Sequence, residues 1–308
     1  MTYAIETRGL TRSYGDTRAL DDVTVRIHAN TITGLLGRNG AGKTTFMALA
    51  TAQDRPSSGE VLVGGKPPFE DDSVLERLCF IRDNQRYPDD YRLVHALRAA
   101  RIFYPNWNQE LADELVGLFR IPKKTIVKKY SRGQLSALGI VLGLASRAPI
   151  TFFDEPYLGL DATARTYFYD VLLRDFQEIP RTIILSTHLI DEMDRLLERV
   201  IILDQGRVVQ DADVDELRGA AHSVAGPSAA VDAYTAGRGV LSTHRVGGLA
   251  TKIVEGGVTV ADREAALTAG LELGAVTLQG LVSAYGFDRD ESPGSTGGVA
   301  AREERASA

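Results

Sequence analysis

The chain has 308 residues, 44% of them hydrophobic and 25% charged, which excludes a wholly disordered, collagen-like or fibrous polypeptide and leaves room for about two domains. Its 35 basic and 41 acidic residues give a net charge of −6, so the basic footprint needed for general nucleic-acid binding is missing. One cysteine, Cys79, excludes an internal disulfide and a thiolate metal cage, and nothing requires an oxidising compartment.

Residues 1–10 lack the basic start and apolar stretch of a secretion signal, so no export is expected. Short β-rich runs at 23–27, 32–36, 60–63 and 78–81 predict strands. From residue 93 to 145 the apolar spacing turns helical, as in Leu111, Leu115, Leu118 and Phe119, with breaks at Pro105 and Pro122. A helical insertion is therefore expected over about 86–147. The most apolar region, 137–153, is interrupted by Arg147 and Pro149 and falls short of the roughly 18–20 apolar residues that span a bilayer. Apolar runs at 150–153, 182–185 and 200–203, with a helical stretch at 162–176, predict a buried, largely parallel sheet. Beyond residue 219, helical runs at 229–234 and 263–273 alternate with strand-like runs near Val240 and Val258. The expected division is a main domain over 1–220, a small α/β appendage of β-α-β-β-α-β type over 221–286, and a disordered tail over 287–308.

The strongest chemical signal is Gly37, Arg38, Asn39, Gly40, Ala41, Gly42, Lys43, Thr44 and Thr45, directly after an apolar strand and before a helical run. This is a phosphate-binding loop in its strand-loop-helix context. Glycines let backbone N–H groups curl around phosphate oxygens, the helix N-terminus adds partial positive charge, and Lys43 adds a full one. The Thr44 hydroxyl suits Mg²⁺. A second apolar strand ends in Asp154 and Glu155, which strand geometry brings to the carboxyl end of the sheet beside that loop. Asp154 then suits the Mg²⁺ shell, and Glu155 the place from which water attacks.

Between these lies Tyr130-Ser131-Arg132-Gly133-Gln134, and after them come Gly159-Leu160-Asp161 and Ser186-Thr187-His188. In this order the five elements resemble the ATP-binding cassette (ABC) nucleotide-binding subunits over roughly residues 3–217. The family signature is usually Leu-Ser-Gly-Gly-Gln, so Ser131, Gly133 and Gln134 match it while Tyr130 and Arg132 depart. The resemblance implies an α/β P-loop ATPase core with a largely parallel sheet, antiparallel N-terminal strands and a helical insertion. It implies that Ser131, Gly133 and Gln134 meet the γ-phosphate bound by the opposite subunit, that Asp161 lies in the loop crossing the dimer, and that His188 is the switch histidine contacting the γ-phosphate. Asp161 also suits capping of the helix that follows.

Tyr14, in Ser13-Tyr14-Gly15, resembles the aromatic on which the family stacks adenine; a core or turn tyrosine is the other reading. For the glutamine loop that approaches Mg²⁺ and water, two residues compete, Asp83 at the usual distance from the strand and Gln85 if the loop is longer, and Gln85 is favoured. The run from Phe103 to Trp107, flanked by Arg98 and Arg101, reads as packing of the insertion, as a groove for a membrane partner, or as a base-stacking platform that the acidic balance disfavours. Cys79 reads as a small buried hydrophobe, and His28, His95, His222 and His244 have no metal-ligand spacing.

The resemblance thus implies an ATPase with ATP and Mg²⁺ as cofactors, working as a head-to-tail homodimer or heterodimer. Its partner would be a separate transmembrane permease subunit, with the chain peripheral on the cytoplasmic face of the membrane. No nucleic acid is expected as a partner. The alternative is an ABC ATPase acting on ribosome or DNA without transport; the single cassette and the lack of a long heptad run disfavour it. The C-terminal segment carries no hydrolytic motif and is expected to be dispensable for chemistry, unless it covers apolar surface of the main fold.

Overall fold

The computed structural model describes residues 3–83 and 85–287, so the expected disordered tail lies, beyond its first residue, outside the described residues. The chain opens with β1 (Tyr3–Tyr14), β2 (Thr17–Val23), β3 (Arg26–His28) and β4 (Ile32–Leu36), then α1 (Lys43–Ala50), β5 (Ser58–Val63), α2 (Asp72–Leu75) and β6 (Leu78–Ile81). The insertion follows as α3 (Leu93–Phe103), α4 (Gln109–Leu118) and α5 (Arg132–Ser146). Next come β7 (Ile150–Asp154), α6 (Ala162–Glu178), β8 (Thr182–Thr187), α7 (Ile190–Met193), β9 (Arg199–Asp204), β10 (Arg207–Asp213) and α8 (Val214–Gly219). The C-terminal part is β11 (Ala221–Pro227), α9 (Ser228–Thr235), β12 (Val240–Val246), β13 (Leu249–Glu255), α10 (Val260–Thr268), β14 (Glu272–Ala275) and α11 (Leu278–Phe287).

The central sheet has the order β10-β9-β4-β8-β7-β6 and is parallel except for β10. Successive residues point to opposite faces, and both faces are covered. Leu36, Phe153, Leu185 and Ile202 join one buried cluster with the helices of the insertion. Their neighbours Leu35, Phe152, Ile184 and Ile201 join a second, shared with α1 and the N-terminal strands. Burial on both faces is why these strands are unbroken apolar runs in sequence. The N-terminal strands form an antiparallel sheet in which β1 pairs with β2, β3 and β5. Residues 23–27, read as one strand, are divided between β2 and β3. The cause is Thr7 of β1, whose hydroxyl donates to the Val23 carbonyl and accepts from the Val25 N–H, both at 3.0 Å, and splits the run in two.

The C-terminal sheet is antiparallel, ordered β12-β13-β11-β14. Two sequence expectations are corrected here. The helix expected to reach residue 273 stops at Thr268, because Gly270 turns the backbone left-handed (φ 66) and Leu273 pairs within β14. Val258 lies between β13 and α10 rather than in a strand, because the capping box of Thr259 and Asp262 already starts the helix there. The last helix returns to the main body: Leu278, Leu281 and Val282 are buried in the same cluster as Ile190, Met193 and Leu217. The segment therefore covers apolar surface of the main fold. Among the described residues, no helix is long and apolar enough to cross a membrane.

Candidate active site

Between β4 and α1 the backbone turns left-handed at Gly37 (φ 142), Gly40 (φ 84) and Gly42 (φ 105). A Cβ on Gly37 would lie 2.2 Å from the Leu203 carbonyl oxygen, and one on Gly42 2.5 Å from that of Ala19, so both positions exclude larger residues. Arg38, Asn39 and Gly40 face solvent, Ala41, Gly42 and Lys43 are buried, and Thr44 and Thr45 open the helix on its outer side. The Lys43 ammonium donates to the carbonyls of Gly37 (2.7 Å) and Arg38 (3.1 Å), which draws the loop around it. Burial pulls the Lys43 pKa below its ordinary value, opposed by the charges of Glu155 and Asp154. The first-turn N–H groups of α1 lack intrahelical acceptors, which suits phosphate oxygens.

Parallel pairing sets Leu36 opposite Thr187 and Asp154 opposite Ser186, so three strand ends converge at one edge. There the two carboxylates divide their contacts. Asp154 accepts from the hydroxyls of Thr44 (2.8 Å) and Ser186 (2.6 Å). At Glu155 the chain leaves the strand in a left-handed conformation (φ 50), and its N–H donates to Ser186 Oγ at 2.9 Å. Glu155 Oε2 accepts from the Tyr157 hydroxyl and lies 2.8 Å from His188 Nδ1. Glu155 Oε1 is 4.0 Å from Lys43 Nζ and is buried with no hydrogen-bond partner. Tyr157 was not among the sequence candidates, and its signal was only a hydroxylated residue just after Asp154-Glu155-Pro156. Burial, then the charge and hydrogen bond of Glu155, raise its phenol pKa well above the ordinary value, so it is a donor.

Of the glutamine-loop pair, Asp83 is bound by Arg132 at 2.9 and 3.1 Å. Gln85 shares a small cavity with Glu155 and Pro156, and its side-chain oxygen is buried without a partner. The signature residues stand at the start of α5. Ser131 caps it, accepting from the Gln134 N–H at 3.2 Å, while Gln134 accepts from the Ser131 N–H at 3.0 Å. Gly133 is packed backbone to backbone on the loop after β7, where a Cβ would lie 2.3 Å from the Gly159 carbonyl oxygen. Ser136 reinforces the contact by donating to the Leu158 carbonyl at 2.6 Å. Asp161 caps α6, accepting from the Ala164 N–H at 2.8 Å. Tyr14 is 48% exposed at the end of β1, its ring under the Arg12 guanidinium and its hydroxyl on Asp54, so it is no core tyrosine. Phe103 is exposed, whereas Tyr104 and Trp107 pack on the main cluster, and Cys79 is buried.

The oxygen donors in this region include the Thr44 hydroxyl, the Asp154 carboxylate and the unpartnered oxygens of Gln85 and Glu155. No cluster of three His, Cys, Asp or Glu side chains able to hold a metal occurs among the described residues. A set of hydroxyl, amide and carboxylate oxygens fits Mg²⁺ that completes its shell with phosphates and water.

The ABC transporter family profile matches residues 20–158. The chain is 31% identical over 226 residues to the uncharacterized ABC transporter ATP-binding protein YcbN of Bacillus subtilis, covering 71% of this chain and 72% of that one. It is 30% identical over 223 residues to the daunorubicin/doxorubicin resistance ATP-binding protein DrrA of Streptomyces peucetius, covering 70% and 67%. A solved ATP-binding subunit of an ABC transporter shares the fold, with a TM-score of 0.62 at 24% identity over 70% of this chain and 92% of that one. The chain belongs to the ABC transporter ATP-binding family, whose members are ATPases coupled to transport.

Proposed function

We propose that the chain binds and hydrolyses Mg-ATP in a head-to-tail dimer and so drives a separate membrane-spanning subunit, sitting on the cytoplasmic face of the membrane through that partner. The observation that carries this reading is the convergence of Lys43, Thr44, Asp154, Glu155 and His188 on one sheet edge. Gly37 to Thr45 would cradle the phosphates of ATP, with Tyr14 against adenine. Thr44, Asp154 and Gln85 would hold Mg²⁺, which when bound neutralises charge on the β and γ oxygens. Gln85 is preferred to Asp83 because its oxygen has no other partner, whereas Arg132 already engages Asp83.

Glu155 acts as general base, taking a proton from the attacking water. Its position between the Lys43 ammonium and the His188 imidazole suits that task. Lys43 stabilises negative charge on the transferred phosphoryl group, and His188 keeps water and carboxylate in register. Ser131, Gly133, Gln134 and Asp161 serve the nucleotide of the other subunit. The exposure of Ser131 and Asp161, each already capping its own helix, agrees with a surface presented to a second chain. The hydrolytic unit is taken as residues 1–220, with 221–286 as an accessory unit.

Glu155→Gln keeps the shape of the side chain and removes the base. Turnover is expected to fall at least about 100-fold, while size-exclusion chromatography in Mg-ATP shows a trapped dimer. A monomer with near wild-type turnover would remove Glu155 from this role.

A further inference from the structure

The hydroxyl of Tyr157 is the meeting point of the hydrolytic edge. The side chain is 2% exposed, and its ring packs edge-on against the His188 imidazole, with centroids 5.6 Å apart and an interplanar angle of 68°. A phenol oxygen has one proton to give and two lone pairs to fill. The lone pairs take the Thr187 hydroxyl at 2.9 Å and the His188 N–H at 3.0 Å. The proton goes to Glu155 Oε2. With the phenol proton committed there, the 3.3 Å approach of the hydroxyl to His188 Nδ1 is a by-product of crowding and not a further donation. The Nδ1 proton is directed at Glu155 Oε2, 2.8 Å away, so Glu155 accepts from two sides and the imidazole has a defined tautomer.

We infer that Tyr157 is a positioning residue of the ATPase reaction, whose hydroxyl fixes the Glu155 carboxylate and the His188 backbone and ring in one arrangement. The inference rests on Glu155 being the base. It follows from the turn after β7, where the left-handed Glu155 and Pro156 fold the chain so that residue 157 comes back beneath the carboxylate two positions before it. Tyr157 touches no reacting atom. It acts by holding two groups that do, and it does so by reaching from the loop after β7 to the end of β8, the strand that also carries Ser186, the partner of Asp154. One buried side chain therefore links the loop after β7 to both residues that follow Ser186.

The discriminating variant is Tyr157→Phe, which preserves the ring packing and deletes only the hydroxyl. The expected result is a fall in kcat of about 10- to 100-fold, the size of loss that follows a small misplacement of a reacting group. The Kd for a fluorescent ATP analogue on dilute monomer and the KM for ATP should both stay within about twofold of wild type. The loss should vanish in the Glu155→Gln background, because the group being positioned is already gone. Thr187→Val, which removes one donor to the same hydroxyl, should lower kcat in the same direction by a smaller factor, and it supplies the test if Tyr157→Phe does not fold. Unchanged kcat in Tyr157→Phe overturns the proposal, as does a parallel loss of nucleotide binding or a loss fully additive to that of Glu155→Gln. If Glu155→Gln itself retains turnover, the assignment of the base fails instead, and the two failures are distinguishable.

Discussion

Residues 3–219 and 221–287 are both built from strands and helices, yet they solve the problem of burial differently. The first part places its parallel sheet between two apolar clusters filled by large side chains such as Phe46, Phe152, Phe153 and Phe168. The second has an antiparallel sheet over a cluster of Val224, Val231, Ala250, Val254, Ala266 and Leu271, most of them small. So small a core stabilises a fold weakly, and the difference is offset by α11, which leaves its own sheet and inserts Leu278, Leu281 and Val282 into the main cluster. The same helix lines a cleft with Gly37, Arg38 and His188. The sequence motifs of the proposed hydrolytic site all lie in the first part, whereas the buried apolar cluster is shared between the two.

That contrast can be broken at three points beyond the tests above. Lys43→Ala should strike chemistry hardest, weakening ATP binding by a single chain about 10- to 100-fold, the equivalent of about 1.5–3 kcal/mol for a hydrogen bond to a charged group. Ser131→Arg should leave that affinity alone and abolish dimer formation; titration of dilute monomer with a fluorescent nucleotide separates them, and equal losses would put Ser131 in its own chain's site. Next in size is the seat of α11. Leu281→Ala empties a fully buried position and should cost about 2–5 kcal/mol, lowering the melting midpoint by roughly 4–10 °C. Ending the chain at Gly219 should then yield a protein that aggregates; a truncation that melts like the full chain would show that the two parts are independent.

The smallest effect is one of pH. Hydrogen bonds from Thr259 and then Arg238 hold the Asp262 pKa well below the ordinary range, and Lys252 and then Arg245 lower that of Asp232. A carboxylate depressed in the folded state stabilises fully above its unfolded pKa of about 3.9 and loses that contribution as pH falls toward the folded value. Backbone protection factors in β11–α10, taken relative to the intrinsic exchange rate at each pH, should therefore be flat from about pH 7 to pH 5 and fall below about pH 4. Asp262→Asn should reduce the acid response and leave hydrolysis unchanged; an undiminished response would mean that this pair does not hold the C-terminal part together.

Much of this was legible in the sequence for one reason, which is that residues buried on both sides leave nothing polar to obscure them. The runs at 32–36 and 78–81 coincide with β4 and β6, and the motifs meet because parallel strands deliver their carboxyl ends to one edge. Strand β1 was not read, since its one-sided burial is broken by the buried Thr7, a left-handed Gly9 and shifts of register. Val258 and Leu273 were misassigned where a capping box and a single glycine outweigh apolar spacing. Tyr157 escaped because its role depends on the backbone reversal at Glu155, which no spacing encodes.

The contact of Gly133 with Gly159 has a mechanical consequence. Two backbones that touch with no side chain between them have no rotamers with which to absorb a displacement, and Ser136 pins the same junction through the Leu158 carbonyl. A push on α5 is therefore delivered undamped to the loop that leads from Glu155 to Asp161. In the proposed pair, where the start of α5 addresses one nucleotide and Glu155 another, this junction makes the two hydrolytic sites stiffly geared to each other.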